Sequence, residues 1–297
     1  MMSTASTVVS RGFGSDESME DGFMDPKLAS PDGSAFHGRA DEYASLMDQP
    51  WHQLRMELIW STLTRHLDKT HGTWLDVGCG NGELGLRALE GGHSVTLVDR
   101  EPEMCALAAR RIKARFGTSK AWQVLESQLG NLPAHQFAVV TAHNVLEYVP
   151  DRRGAIRELA GRVSPGGILS VVVANPMAVP FTIAVRTQDP RATRKALEEG
   201  GIRIGLSGVR KKVEPVHIEI LDEELAERGM SRHGYYGLRI FNDVMTEEWR
   251  KSIPGWLDEM LATELLASDQ EPYRSVARHL HLVYRRPKIA SVVASRD

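Results

Sequence analysis

Apolar positions along the chain follow two rhythms. Leu54, Leu58, Ile59, Leu63 and Leu67 recur at helical spacing, which predicts an amphipathic helix over about 51–69. The rhythm then shortens. Residues 73–77 read as a buried strand, 78–82 as a turn and 83–89 as a helix closed by Gly91 and Gly92. A second strand over 94–98 ends at Asp99, and Pro102 opens a helix at roughly 102–115. Strands follow at 121–125 and 137–141, then a helix at 152–162 that stops before Pro165-Gly166-Gly167. Residues 168–174 form an apolar strand. Strands alternating with helices at this spacing predict an α/β fold with a parallel, doubly wound sheet.

After Asn175 the alternation breaks. Residues 176–212 mix helix-like stretches with Arg186, Arg191, Arg194, Lys195, Arg203, Arg210, Lys211 and Lys212. An insertion covering the working edge of the sheet fits this pattern. Residues 218–229 predict a helix, 235–241 a strand, 246–267 a helix broken at Pro254, and 273–284 a helix running into a last strand. Residues 1–38, rich in Ser, Gly, Asp and Met, carry neither period and read as a disordered tail. The expected organisation is one domain over 39–290, with a substrate cap at 176–235 and a short tail at 291–297.

The composition, 42% hydrophobic and 25% charged over 297 residues, is that of an ordinary globular chain with one large core. The net charge of −3 gives no general argument for a nucleic-acid surface. Cys79 and Cys105 make neither a disulfide framework nor a four-ligand zinc site, and read as reduced thiols. No apolar run approaches the ~20 residues that span a bilayer, and the first residues lack the order of a signal peptide. The expectation is a cytoplasmic protein without membrane contact.

The chemistry concentrates at Leu75-Asp76-Val77-Gly78-Cys79-Gly80-Asn81-Gly82, followed by Asp99. Glycines at the end of a first strand let a ligand approach the backbone, and the next helix offers free N–H groups. An acid ending the second strand accepts both hydroxyls of a ribose. Gly80, Gly82 and Gly85 also fit the dinucleotide pattern Gly-x-Gly-x-x-Gly. Asp76 argues against that reading, because its carboxylate repels a pyrophosphate but tolerates a cofactor with an amine and a sulfonium.

This turn resembles motif I of the class I S-adenosylmethionine methyltransferases. The resemblance implies a Rossmann-like, seven-stranded sheet with its last strand antiparallel. It implies S-adenosyl-L-methionine as cofactor and S-adenosyl-L-homocysteine as product. Asp76, Gly78, Cys79, Gly80 and Gly82 would lie at the methionine part, Asp99 on the ribose, and Arg100 and Met104 beside the adenine. Where the family often places an acid after the third strand, Ser127 and Gln128 are the polar candidates. Residues 142–148 resemble the segment after strand four, where His143 lines the methyl-donor pocket.

A narrower similarity rests on Gln53-Leu54-Arg55, Asn144-Val145-Leu146-Glu147-Tyr148, Asn175, residues 237–243 and Glu271-Pro272-Tyr273. Together these look like the tRNA wobble-uridine carboxymethoxy methyltransferases, which esterify a carboxylate on a modified uridine. By that resemblance Arg55 reaches the cofactor's carboxylate, Arg239 clamps an anionic acceptor, and Tyr273 lines the same pocket. A salt bridge of Arg239 with Asp243 is the structural alternative.

The family's basic stretch shrinks here to 209–213 and acidic residues follow it, so tRNA is a possible partner but not the favoured one. A small-molecule, peptide or nucleoside carboxylate is. A carboxylate is already ionised at neutral pH and needs positioning rather than a general base. Arg239, Asn175 and His143 would position it. If the nucleophile is instead a hydroxyl or amine, His143 is the candidate base. A cofactor-binding regulatory domain is the non-enzymatic alternative. No metal site is expected, since His279 and His281 lack evident partners.

Overall fold

Seven segments share one sheet, whose five central strands carry the buried apolar runs and whose two edge strands are partly exposed. The structure is a computed structural model that describes residue 36 and residues 38–68, 72–206 and 209–288. Apart from residues 36 and 38, the two expected tails lie outside the described residues, as do the side chains of Arg203, Arg210 and Lys211. In chain order the elements are α1 (Ala40–Met47), α2 (Pro50–Thr64), β1 (Thr73–Val77), α3 (Glu83–Glu90), β2 (Ser94–Asp99), α4 (Pro102–Phe116), β3 (Trp122–Glu126), β4 (Phe137–His143), α5 (Arg152–Gly161) and β5 (Val163–Ala174). Then come α6 (Ala178–Thr187), α7 (Pro190–Glu199), β6 (Ile202–Leu206), β7 (Val209–Val213), α8 (Ile218–Ala226), β8 (Ser231–Leu238), α9 (Trp256–Ala267) and β9 (His279–Arg285).

The sheet runs β3-β2-β1-β4-β5-β9-β8. Strands β1 to β5 are parallel, and β9 is antiparallel to both β5 and β8. The strand order reverses between β1 and β4, which opens a crevice at their C-terminal ends. Strands β6 and β7 form a separate two-stranded ribbon. Among the described residues no helix is long and apolar enough to cross a membrane.

The period of two divides the strand side chains between two cores. Leu75, Val77, Val140 and Val171 pack with Ile156, Leu159 and Leu221 on one face. Trp74, Leu97, Val139 and Val172 pack with Leu54, Leu58, Ile112 and Met260 on the other. Trp74 is fully buried, and its indole Nε1 donates to Thr141 Oγ1 at 3.1 Å, so it leaves no polar atom unpaired. The cap is α6, α7 and the ribbon, with α7 capped by Asp189, whose carboxylate accepts from Arg191 N at 2.8 Å.

Several boundaries differ from expectation. The helix expected to 69 ends at Thr64, and α1 precedes it without a clear periodic signal. Pro254 does break the segment 246–267, into a 3-10 turn at Glu248–Ser252 and α9. The segment after 273 is a 3-10 turn, Tyr273–Val276, before β9. The strand expected at 235–241 lies instead at Ser231–Leu238. Ile240 and Phe241 suit a strand, but a buried carboxylate captures their backbone. Glu264 of α9 accepts from the N–H groups of Ile240, Phe241 and Asn242 at 2.6, 2.9 and 2.9 Å. The chain leaves the sheet at Arg239, whose φ is +59°.

Candidate active site

The site begins where β1 runs out. The N–H groups of Gly78 and Cys79 both donate to Val98 O, at 2.8 and 3.0 Å, which folds the turn back over β2. Gly80 and Gly82 have φ of +52° and +76°, a region costly for a side chain. A Cβ on Gly82 would stand 3.2 Å from the Ala108 backbone, and one on Gly80 would stand 2.7 Å from the Tyr43 hydroxyl. The turn is therefore pressed between α4 below and α1 above.

Two acids face this turn. Asp99 Oδ2 accepts from Gly80 N at 2.9 Å, and Oδ1 accepts from Glu101 N at 3.0 Å. Each oxygen keeps a second lone pair, which is what a pair of ribose hydroxyls requires. Asp76 is buried and accepts from Thr141 Oγ1 at 2.7 Å. Burial, helped by the nearby Asp99 charge and opposed by the Thr141 bond, raises its pKa to about 7.

The crevice widens into a cavity of about 1660 Å³, larger than the ~300–1,000 Å³ of a single-ligand site. Asp76, Gly78, Cys79, Gly80, Asp99, Arg100, Met104, Ser127 and Gln128 all line it, as the sequence suggested; Gly82 lies behind the wall against α4. Arg100 Nε donates to Glu101 at 3.1 Å, and the Ser127 hydroxyl donates to Asn131 O at 2.7 Å.

Arg55 reaches the cavity from α2. Its Nη1 donates to Asn144 Oδ1 at 3.0 Å, and its Nη2 lies 3.1 Å from His52 Nδ1. Burial and the charges of Arg55, Arg239 and Arg111 push His52 down to about 2, so this imidazole is neutral and accepts. Four buried polar atoms without a hydrogen-bond partner belong to residues on the cavity wall: Arg55 Nε, Glu147 Oε2, Asn242 Oδ1 and His279 Nδ1. Unpaired groups of this kind cost stability and mark binding surfaces.

The far wall lies beyond β4. Arg239 projects from the Glu264-held loop, its guanidinium 4.8 Å from the centre of the Trp51 ring. It is paired with Asp243, to which Nε donates at 2.9 Å. Asp243 also accepts from Asn242 Nδ2 at 2.8 Å and faces Arg278 at 3.7 Å. Burial raises its pKa, but the two arginines outweigh that and hold its carboxyl below the ordinary value. The salt bridge is thus present, and Arg239 lines the cavity as well. Arg186 and Lys251 complete this cationic wall.

Three expectations need correction. Asn175 is buried away from the cavity wall. Its Nδ2 donates to Ser275 O and Ala277 O at 3.0 and 2.8 Å, and its Oδ1 accepts from Met177 N, so it ties β5 to the turn before β9. Tyr273 stands outside the cavity, 44% exposed, against Phe241. His143 lines the cavity, but burial and the Arg55 charge push its pKa to about 3, too low for a base at neutral pH. His281, which seemed unpartnered in sequence, bonds Ser170 and Thr62.

The methyltransferase-domain family model matches residues 75–169 of this chain. The tRNA 5-carboxymethoxyuridine methyltransferase of Escherichia coli is 26% identical over 249 residues, covering 80% of this chain and 89% of that protein. The ubiquinone biosynthesis O-methyltransferase of Xanthomonas axonopodis pv. citri is 30% identical over 166 residues, 51% of this chain and 67% of the relative. The magnesium protoporphyrin IX methyltransferase of Synechocystis, solved with S-adenosyl-L-homocysteine bound, shares the fold with a TM-score of 0.57 at 12% identity, over 84% of this chain and 96% of that one. Glycine turn, strand order and relatives agree, and the chain belongs to the class I S-adenosylmethionine-dependent methyltransferases.

Proposed function

We propose that this methyltransferase esterifies a carboxylate. The observation that carries the reading is the charge of the acceptor end of the cavity. Arg186, Arg239, Lys251 and Arg278 line it, against Asp243 and Glu147. Such a wall attracts an anion and repels an ammonium. His143, depressed to about 3, does not supply the base that a hydroxyl nucleophile needs. A carboxylate needs no base.

The residues present fit the cofactor. Asp99 would hold its ribose, Asp76 its ammonium, Arg55 its carboxylate, and Arg100, Met104, Ser127 and Gln128 would flank the adenine. When bound, S-adenosylmethionine supplies a methyl group on an electrophilic sulfonium. The chain's own work is placement. Arg239 and Arg278 orient the acceptor's oxygen, while Trp51 and α6, whose Thr182, Ile183 and Arg186 line the cavity, exclude water. Two free thiols suit the reducing cytoplasm, where we place the enzyme.

A second reading narrows the acceptor to a modified nucleoside in tRNA. It is favoured by one observation, the length over which the E. coli tRNA enzyme matches.

The test is methyl transfer from radiolabelled S-adenosylmethionine to a panel of carboxylic acids, scored by base lability of the product. Esters lose their label in mild alkali. Arg239→Gln should raise KM about tenfold or more, the worth of a charge-assisted bond, with Arg239→Lys in between. Alkali-stable products throughout would sink the carboxylate reading.

A further inference from the structure

His143 ends β4 and forms part of the cavity wall. Behind it a line of hydrogen bonds crosses the sheet into α2. His143 Nε2 lies 2.8 Å from Ser170 Oγ, Ser170 Oγ lies 2.8 Å from His281 Nε2, and His281 Nδ1 lies 2.8 Å from Thr62 Oγ1. Ser170, His281 and Thr62 are fully buried.

The far end fixes the direction of every bond. Thr62 Oγ1 is 2.7 Å from Leu58 O, a separation that two oxygens keep only with a proton between them. Thr62 therefore donates to the carbonyl and accepts from His281 Nδ1–H. Burial pushes the His281 pKa well down, so the ring is neutral and its Nε2 is bare. Ser170 places its one proton on that nitrogen and accepts from His143 Nε2–H. His143 is neutral by burial and the Arg55 charge, which leaves Nδ1 with a lone pair. Nothing among the described residues donates to Nδ1, and it is not one of the polar atoms sealed from solvent. It opens to the cavity.

We propose that Thr62, Ser170 and His281 are positioning residues that lock His143 in one tautomer, and that His143 Nδ1 selects the methyl acceptor. This nitrogen is an uncharged hydrogen-bond acceptor with a fixed lone pair. It takes an N–H or O–H beside the reacting group and repels a second carboxylate or phosphate there. The substrate class is thus an acid with a neighbouring donor, such as a hydroxy acid or an amide-bearing acid. The choice of acid rests on the carboxylate reading; the tautomer lock does not.

Long-range 1H–15N NMR on the full chain, with histidines 15N-labelled, reads the tautomers directly. His143 should carry its proton on Nε2 and His281 on Nδ1, unchanged from about pH 8 to about pH 5, where ordinary histidines titrate. Ser170→Ala should release the His143 preference, and Thr62→Val serves if that variant does not fold. A proton on His143 Nδ1, titration within that window, or an intact preference in both variants would overturn the lock.

The selection is read in the carboxylate panel. Acids with an adjacent hydroxyl or amide N–H should outperform matched acids without one about tenfold in kcat/KM. His143→Leu should erase that difference between the matched acids. A preference that is absent, or that survives in His143→Leu, would refute the selection. Turnover of no acid at all would fall on the carboxylate reading and, with it, on the acid class, while the NMR result stands on its own.

Discussion

A single carboxyl makes the cofactor site responsive to pH. Asp76 in the ligand-free protein has a pKa of about 7, against ~3.9 for an unfolded chain. The folded state therefore holds a proton that the unfolded state has already lost. This contribution to stability is fully present below about pH 4 and is lost as pH rises through about 7. Ligand-free protein should thus melt at a higher temperature near pH 6 than near pH 8 on this account, and Asp76→Asn should flatten the difference. The cofactor's ammonium reverses the preference, since it favours the ionised form. Binding of S-adenosylhomocysteine near pH 6 should release close to one proton, measured by calorimetry in two buffers of different ionisation heat. Release that is unchanged in Asp76→Asn would place the titrating group elsewhere. Asp99 acts more simply. Both its oxygens are held by backbone N–H groups, and if it holds the ribose as proposed, Asp99→Ala should weaken S-adenosylhomocysteine binding at least tenfold.

At the scale of elements, the acceptor wall depends on one contact between α9 and the loop after β8. Glu264 is fully buried and holds three consecutive backbone N–H groups. Glu264→Ala leaves all three unsatisfied, a cost of about 3 kcal/mol or more. At about 2–4 °C per kcal/mol for a domain of this size, Tm should fall by roughly 6–12 °C. Because that loop carries Arg239, Asn242 and Asp243, KM for the acceptor should rise while affinity for the cofactor stays. The same contact explains what the sequence concealed. Short apolar runs between turn signals marked the strands, with β8 displaced, and the glycine turn with Asp99 marked one end of the cavity, because these follow from local pattern and spacing. Ile240 and Phe241 read as strand because their propensity is real; only the packed structure shows a glutamate 22 to 24 residues away competing for their N–H groups. Arg278, His279 and Trp51 were missed for the same reason, since each joins the wall through tertiary contact with no local signature. Asn175 failed in the opposite direction, a polar residue at a strand end whose amide serves the backbone.

Across the whole molecule, both signs of charge meet in one cavity. Asp76, Asp99 and Glu101 stand with Arg100 at the ends of β1 and β2, and Arg186, Arg239, Lys251 and Arg278 stand with Glu147 and Asp243 elsewhere on its wall. On the carboxylate reading, the second group would receive the anionic acceptor. Among the described residues, many outer charges are paired. On the cap, Arg194 and Lys195 face Glu198 and Glu199 at 3.6 and 3.8 Å. Near the cavity mouth Arg250 pairs with Glu247, and on the α5–α8 face Arg153 and Arg228 meet Glu223 and Glu224. With a net charge of −3, this surface offers little to a phosphate backbone. Salt therefore separates the two candidate acceptors. Binding of one small carboxylate displaces about one counterion, so kcat/KM should fall less than about tenfold between ~50 and ~200 mM salt. An acceptor held through 6–10 phosphates loses about 10³–10⁵ over the same range. A shallow slope with a small acid, and no competition from bulk tRNA, would fit a cavity-confined anion site. A steep slope with tRNA as acceptor would mean that cations outside the cavity, on the ribbon β6–β7 or its neighbours, grip the nucleic acid, and the acceptor would then be the nucleoside.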